Sequence, residues 1–268
     1  MVKKVTFTLL CVFSLMVTPC LAQTWGSNPE LDKLESYYVK SLNEFMHRFN
    51  AEEIPPFFRD DMKDGLRQRC ILALFDLEQV SDLESERATL IQRFDSVVCA
   101  TNSMLHINDT GMYVEALCLF KYKKRSVILN LVLKYENIRD DFYRWAIVGV
   151  NGMVKAGLID TSLYGYINPV QHELHFLALT DAFPHINGYF SKDKKIDPLS
   201  YFAGLAESGV LHFEGCQSVT YFFTQVPGYV FSVLLHPRKG INSGWLIHDL
   251  IEIPDESKDM FINELFSL

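Results

Sequence analysis

YVEALCLFKYKKRSVILNLVLKYENIRDDFYRWAIVGV, residues 113–150, decides the fold. Three strands are predicted in it: Tyr113–Lys121, Val127–Tyr135 and Tyr143–Val150. Val127, Leu129, Leu131, Leu133 and Tyr135 recur at every second position. A strand turns successive side chains to opposite faces, so this row gives the sheet one buried face. A weaker copy spans Gln217–Ile253, with Tyr229, Phe231, Val233 and Leu235 as its row. Each copy then makes a turn and enters a strand that opens on tryptophan, Trp145-Ala146-Ile147 and Trp245-Leu246-Ile247.

Helical patterns precede each block. Leu31, Leu34, Tyr38, Leu42, Phe45 and Phe49 step by three and four, which predicts an amphipathic helix ending near Glu53, before Pro55-Pro56. Asp60 or Asp61 caps a second helix with Leu66, Cys70, Ala73, Leu74 and Leu77 on one face. Between Ser81 and Asn108 a helical turn at Leu83–Gln92 and a strand at Phe94–Ala100 are expected. Asn151–Asn168 is rich in glycine and turn formers and marks a boundary. Beyond it, Asn168-Pro169 opens a helix that ends at Pro184. Asp197-Pro198 opens another, with Leu199, Phe202, Leu205 and Ala206 inward and Gly209 as its stop. Strands at Val210–Phe213, Gln217–Gln225, Tyr229–His236 and Gly244–Ile253 follow. Pro254-Asp255 caps a short last helix with Phe261 and Leu265 inward.

The amino terminus has the three-part form of a secretory leader: Lys3-Lys4, an apolar run from Val5 to Val17, and Pro19-Cys20-Leu21-Ala22 before Gln23. The run falls short of the about 20 residues a membrane span needs. Export to the periplasm or medium is therefore expected, with no span in the mature chain. Asp and Glu number 33 against 25 Lys and Arg, a formal net charge of -8. The densest basic run, Lys121, Lys123, Lys124 and Arg125, sits at a strand turn and makes no basic face, which argues against nucleic acid as a partner. Cys70, Cys99, Cys118 and Cys216 remain after the leader. Their long spacings match neither a zinc motif nor a disulfide framework, so free thiols are expected.

Helices followed by a meander of long strands, twice over, imply an α+β protein of two halves, 23–157 and 168–268, behind a leader at 1–22. This order, with the paired Trp145-Ala146-Ile147 and Trp245-Leu246-Ile247, resembles the nuclear transport factor 2-like fold. The tandem arrangement behind a leader resembles exported proteins of gut Bacteroidetes. The resemblance implies two NTF2-like halves, each with helices packed on a curved antiparallel sheet that forms a cone. That fold hosts isomerases, dehydratases, ligand binders and interaction domains, so it decides no function by itself.

Few residues point to chemistry. His172-Glu173-Leu174-His175 has its histidines three apart, unlike the zinc-protease helix, and no third ligand accompanies them. No metal site and no cofactor are expected. Counting by twos from Trp245 puts Trp245, Ile247, Asp249 and Ile251 on one face, which makes Asp249 a candidate base in the second cone. The matching position in the first half is Gly149. The resemblance implies a carboxylate base working with a hydroxyl donor, as in the steroid isomerases of this fold. His236 and His248 have the opposite parity and are expected to face solvent. Tyr135, Trp145, Phe222, Tyr229 and Trp245 are candidate lining for a ligand cavity. The expected function is that of an exported, non-catalytic ligand-binding or protein-interaction protein. A small-molecule isomerase or dehydratase using Asp249 is the alternative. The partner is an unknown small molecule or protein.

Overall fold

The computed structural model describes residues 38–55, 65–79, 86–107, 109–139, 142–159, 189, 191, 197–238 and 242–267. The leader, Asp60 and Asp61, the helix expected from Asn168 to Pro184, and His172 and His175 lie outside the described residues. The described elements are α1 (Leu42–Phe49), α2 (Leu66–Ala73), α3 (Glu86–Thr101), β1 (Met112–Tyr122), β2 (Arg125–Arg139), β3 (Phe142–Asn151), α4 (Pro198–Glu207), β4 (Leu211–Phe223), β5 (Tyr229–His236), β6 (Gly244–Glu252) and α5 (Lys258–Phe266). The protein is α+β, and all six strands belong to one antiparallel sheet in the order β3-β2-β1-β4-β5-β6.

The two meanders seen in the sequence are thus joined through their first strands. β1 and β4 pair from Met112↔Phe223 to Tyr122↔Leu211, with register shifts between Leu117 and Cys118 and between Leu119 and Phe120. The pairing is non-local, and no turn signal in the sequence announces it. Cys118 lies opposite Cys216 across this seam. Both are free thiols, as are Cys70 and Cys99. Burial, then the neighbouring Cys216, pushes the Cys118 thiol up to about 11.

Alternation sorts the side chains onto two faces. On one face α1, α2, the segment after α2 and α3 pack Phe45, Phe49, Ile71, Phe75, Phe94 and Val98 against Phe223, Tyr229, Phe231 and Val233. On the same face, over β1 and β2, α4 and the segment after β3 pack Phe202, Met153 and Leu158 against Val114, Cys118, Leu129 and Leu131. Trp145 and Tyr221 touch both clusters. The other face carries Tyr113, Val132 and Val230, covered by Ile262 and Phe266 of α5.

Local signals explain most of the helices. Ser41 caps α1, its Oγ accepting from the Glu44 amide, so this helix starts at Leu42. The Leu31 and Leu34 part of the expected stripe lies outside the described residues. Asp197 caps α4 by accepting from the Leu199 and Ser200 amides, with Pro198 in the first turn. Residues 94–100 are helical, not a strand. The β-branched pair Val97-Val98 suggests a strand, but Ala88, Ile91, Phe94, Asp95 and Val98 recur at three and four and make the buried face of α3. In α5 the buried apolar residues are Ile262 and Phe266; the expected Phe261 packs partly buried against the same cluster, whereas the expected Leu265 is exposed.

The outer edge of β6 is covered by two short segments. The Val39 amide donates to the Ser243 carbonyl at 3.1 Å, and the Trp245 amide donates to the Val39 carbonyl at 3.0 Å. Further along, the Ile247 amide donates to the Leu74 carbonyl at 2.7 Å, and the Asp76 amide donates to the Ile247 carbonyl at 2.9 Å. Covering an edge in this way removes a template for unwanted pairing. It also fixes Asp76 beside β6.

Candidate functional site

Asp76, His236 and His248 form the densest group of potential ligands among the described residues: one ligand atom from each lies within 4.8 Å of the other two. His236 closes β5, where it pairs with Gly244. Along β5 it shares its parity with Leu234, Ser232 and Val230, and Val230 lies on the side of the sheet turned away from α1–α3. His248 follows Ile247 on β6, and Asp76 enters from the segment after α2. His236 Nε2 stands 3.7 Å from Asp76 Oδ2, and His248 Nδ1 stands 3.8 Å from the same oxygen. The two imidazole rings are 5.4 Å apart.

The carboxylate is held from behind. Arg238 Nη2 donates to Asp76 Oδ1 at 2.6 Å, and the Glu78 amide donates to the same oxygen at 3.3 Å. Arg238 is itself paired with Glu78 at 2.8 Å. Asn242 locks the arrangement: its side-chain carbonyl accepts from Arg238 and from the Leu77 amide, and its amide donates to the Ala73 and Phe75 carbonyls. Arg87 donates to the His248 carbonyl. Such supporting bonds fix the orientation of a ligating group.

Burial pushes the Asp76 carboxyl up, but the Arg238 hydrogen bond, the nearby His236 and Arg238 and the Glu78 amide more than offset it, and the net direction is below the usual carboxylate range. His236 is pushed below its usual value, chiefly by burial, with Arg238 and His248 acting in the same direction against Asp76 and Glu78. At neutral pH the carboxylate is therefore ionised and the His236 imidazole neutral. His236 Nε2 is buried and has no hydrogen-bond partner among the described residues.

Asp249 lies elsewhere. The β5–β6 register shifts between Phe231 and Val233, so His248 and Asp249 together face Ser232. This bulge interrupts the count by twos. Ile247 and Leu250 both point into the α1–α3 core, while Asp249 is exposed. The Ser232 hydroxyl donates to Asp249 Oδ2 at 3.0 Å and accepts from the Asp249 amide at 3.0 Å. The bond is local and partly exposed, and an asparagine carbonyl accepts it as well. Asp249→Asn is thus expected to change unfolding free energy by less than about 1 kcal/mol, read from thermal unfolding.

The aromatic candidates divide. Tyr135 stacks on Tyr143 at 5.5 Å and meets Trp145 edge-on at 5.1 Å. Trp145 reaches Tyr221 at 6.1 Å, and Tyr221 meets Trp245 at 5.3 Å. Trp145 and Tyr221 stand three strands apart, about 14 Å in a flat sheet, so the contact records strong curvature. Tyr143, Trp145, Tyr221 and Trp245 are half-buried. Tyr229 is buried against Phe94 instead, and Phe222 faces α5.

Sequence reasoning assigns the histidines to solvent and gives no role to Asp76, Tyr143 or Tyr221. The shared parity of His236 and His248 is the one available signal. Nothing in the sequence places residue 76 beside them. Searches against protein-family models, curated proteins and solved structures return no match to this chain.

Proposed function

We propose that the chain is an exported, non-catalytic binding protein that holds a small ligand with an apolar, planar face against the row Tyr143–Tyr135–Trp145–Tyr221–Trp245. The unbroken series of ring contacts from β3 to β6 carries this reading, because four of its five rings, all but the buried Tyr135, are half-buried and keep surface available to a ligand. Export rests on the leader at 1–22. Two NTF2-like halves, fused through β1 and β4, account for the mirrored strand order and for Trp145 and Trp245 both lying half-buried at the core face. The position of Asp249 favours binding over an isomerase or dehydratase mechanism. It lies exposed and hydrogen-bonded to Ser232, and is not one of the groups that contact in the aromatic row.

The probe 8-anilinonaphthalene-1-sulfonate tests the reading. It is expected to bind saturably at one site and quench tryptophan emission. Tyr221→Leu, which breaks the row between Trp145 and Trp245, should weaken binding at least about tenfold, equivalent to about 1.4 kcal/mol, while unfolding stays cooperative. Unsaturable binding, or equal affinity in a cooperatively folding variant, overturns it.

A further inference from the structure

We propose that Asp76, His236 and His248 form a binding site for one divalent transition-metal ion, with zinc(II) as the reference ion. Three protein ligands, two imidazole nitrogens and one carboxylate oxygen, suit such ions, and water completes the coordination. Ligand atoms about 2.0–2.2 Å from a tetrahedral zinc stand about 3.3 Å from one another. The two histidine–carboxylate separations, 3.7 and 3.8 Å, need to contract by only about half an ångström. Rotation of the imidazoles supplies that movement, since the His236 and His248 side chains remain partly accessible.

Three further observations support a built site. Asp76 Oδ1 is occupied by Arg238 and the Glu78 amide, which directs Oδ2 toward both histidines. The Arg238 charge is paired with Glu78, which reduces its opposition to a cation. His236 Nε2, the atom turned toward Asp76, is buried without a hydrogen-bond partner among the described residues, and a metal ion would satisfy it. The site shares no residue with the proposed aromatic surface, so metal binding and probe binding can fail independently.

The test uses the full chain, stripped of metal with a chelator. Calorimetry with zinc chloride is expected to give one ion per chain, and cobalt(II) chloride should develop visible d–d absorption in proportion to occupancy. His236→Gln and His248→Gln should each weaken zinc binding at least about 100-fold, since even loss of a supporting partner costs 10–100-fold. His248→Gln is the safer variant, because its side chain is the more exposed of the two histidines. Asp76→Asn disturbs the Arg238 network as well and is read only if circular dichroism shows the fold retained. His172→Gln combined with His175→Gln is the control and should bind as the parent does. Absence of stoichiometric zinc, binding unchanged in folded His236→Gln and His248→Gln chains, or binding lost only in the control overturns the proposal.

Discussion

Phe94→Ala is expected to lower the free energy of unfolding by about 3–5 kcal/mol, the range for a large aromatic removed from a core. Phe94 is fully buried on α3. Its ring meets Phe49 at 6.3 Å, Phe75 at 5.7 Å, Tyr229 at 5.2 Å and Phe231 at 5.6 Å, each edge to face. These neighbours come from α1, the segment after α2, and β5. The substitution therefore opens a cavity where helices and sheet meet, and rings held by several elements cannot collapse into it without moving those elements. Urea denaturation should show the midpoint falling at an unchanged slope. A loss below about 1.5 kcal/mol would mean that α3 does not seat Phe94 in this cluster.

The same residue shows where the sequence misleads. Val97-Val98 favours a strand locally, and the helix wins because its period of three to four buries Ile91, Phe94 and Val98 together. The strands are more legible. β5 spans the predicted Tyr229–His236, and β1, β2 and β3 extend their predicted ranges by a few residues at most. Apolar residues at every second position, Val127 to Tyr135 in β2 and Tyr229 to Leu235 in β5, explain that success. What alternation cannot supply is strand order. β1 and β4 are separated by some ninety residues of chain, and their pairing follows from tertiary packing.

The candidate site is less legible, for two physical reasons. One is the bulge opposite Ser232. It adds a residue to β6, reverses the parity between Ile247 and Leu250, and leaves Asp249 exposed. No residue type in the sequence marks it. The other is the origin of Asp76. Its carboxylate reaches the histidines only because Leu74–Asp76 hydrogen-bonds to the edge of β6, more than 160 positions away in the chain. His236 and His248 share a parity that the sequence does show, but their gathering depends on that edge contact.

Gly244→Ala tests the edge directly, with an expected loss of about 2–6 kcal/mol. Two costs combine. Gly244 has φ +91°, where a side chain is strained by about 1–3 kcal/mol. A Cβ there would also stand 2.3 Å from the Val39 carbonyl oxygen and 2.5 Å from its nitrogen. Those are backbone atoms held by the Ser243 and Trp245 hydrogen bonds, so they cannot swing aside as a flexible side chain does. Overpacking of this kind costs about 1–3 kcal/mol. The Val39 segment should detach first, seen as faster amide exchange at Val39 and Trp245. Gly204→Ala is the matched control: it lies within α4 with open space around the added carbon. That change should stabilise the chain by about 0.5–1 kcal/mol, because alanine is the better helix former. Equal stability of the two variants would show that Val39 does not lie against Gly244 and that the edge of β6 is covered in some other way.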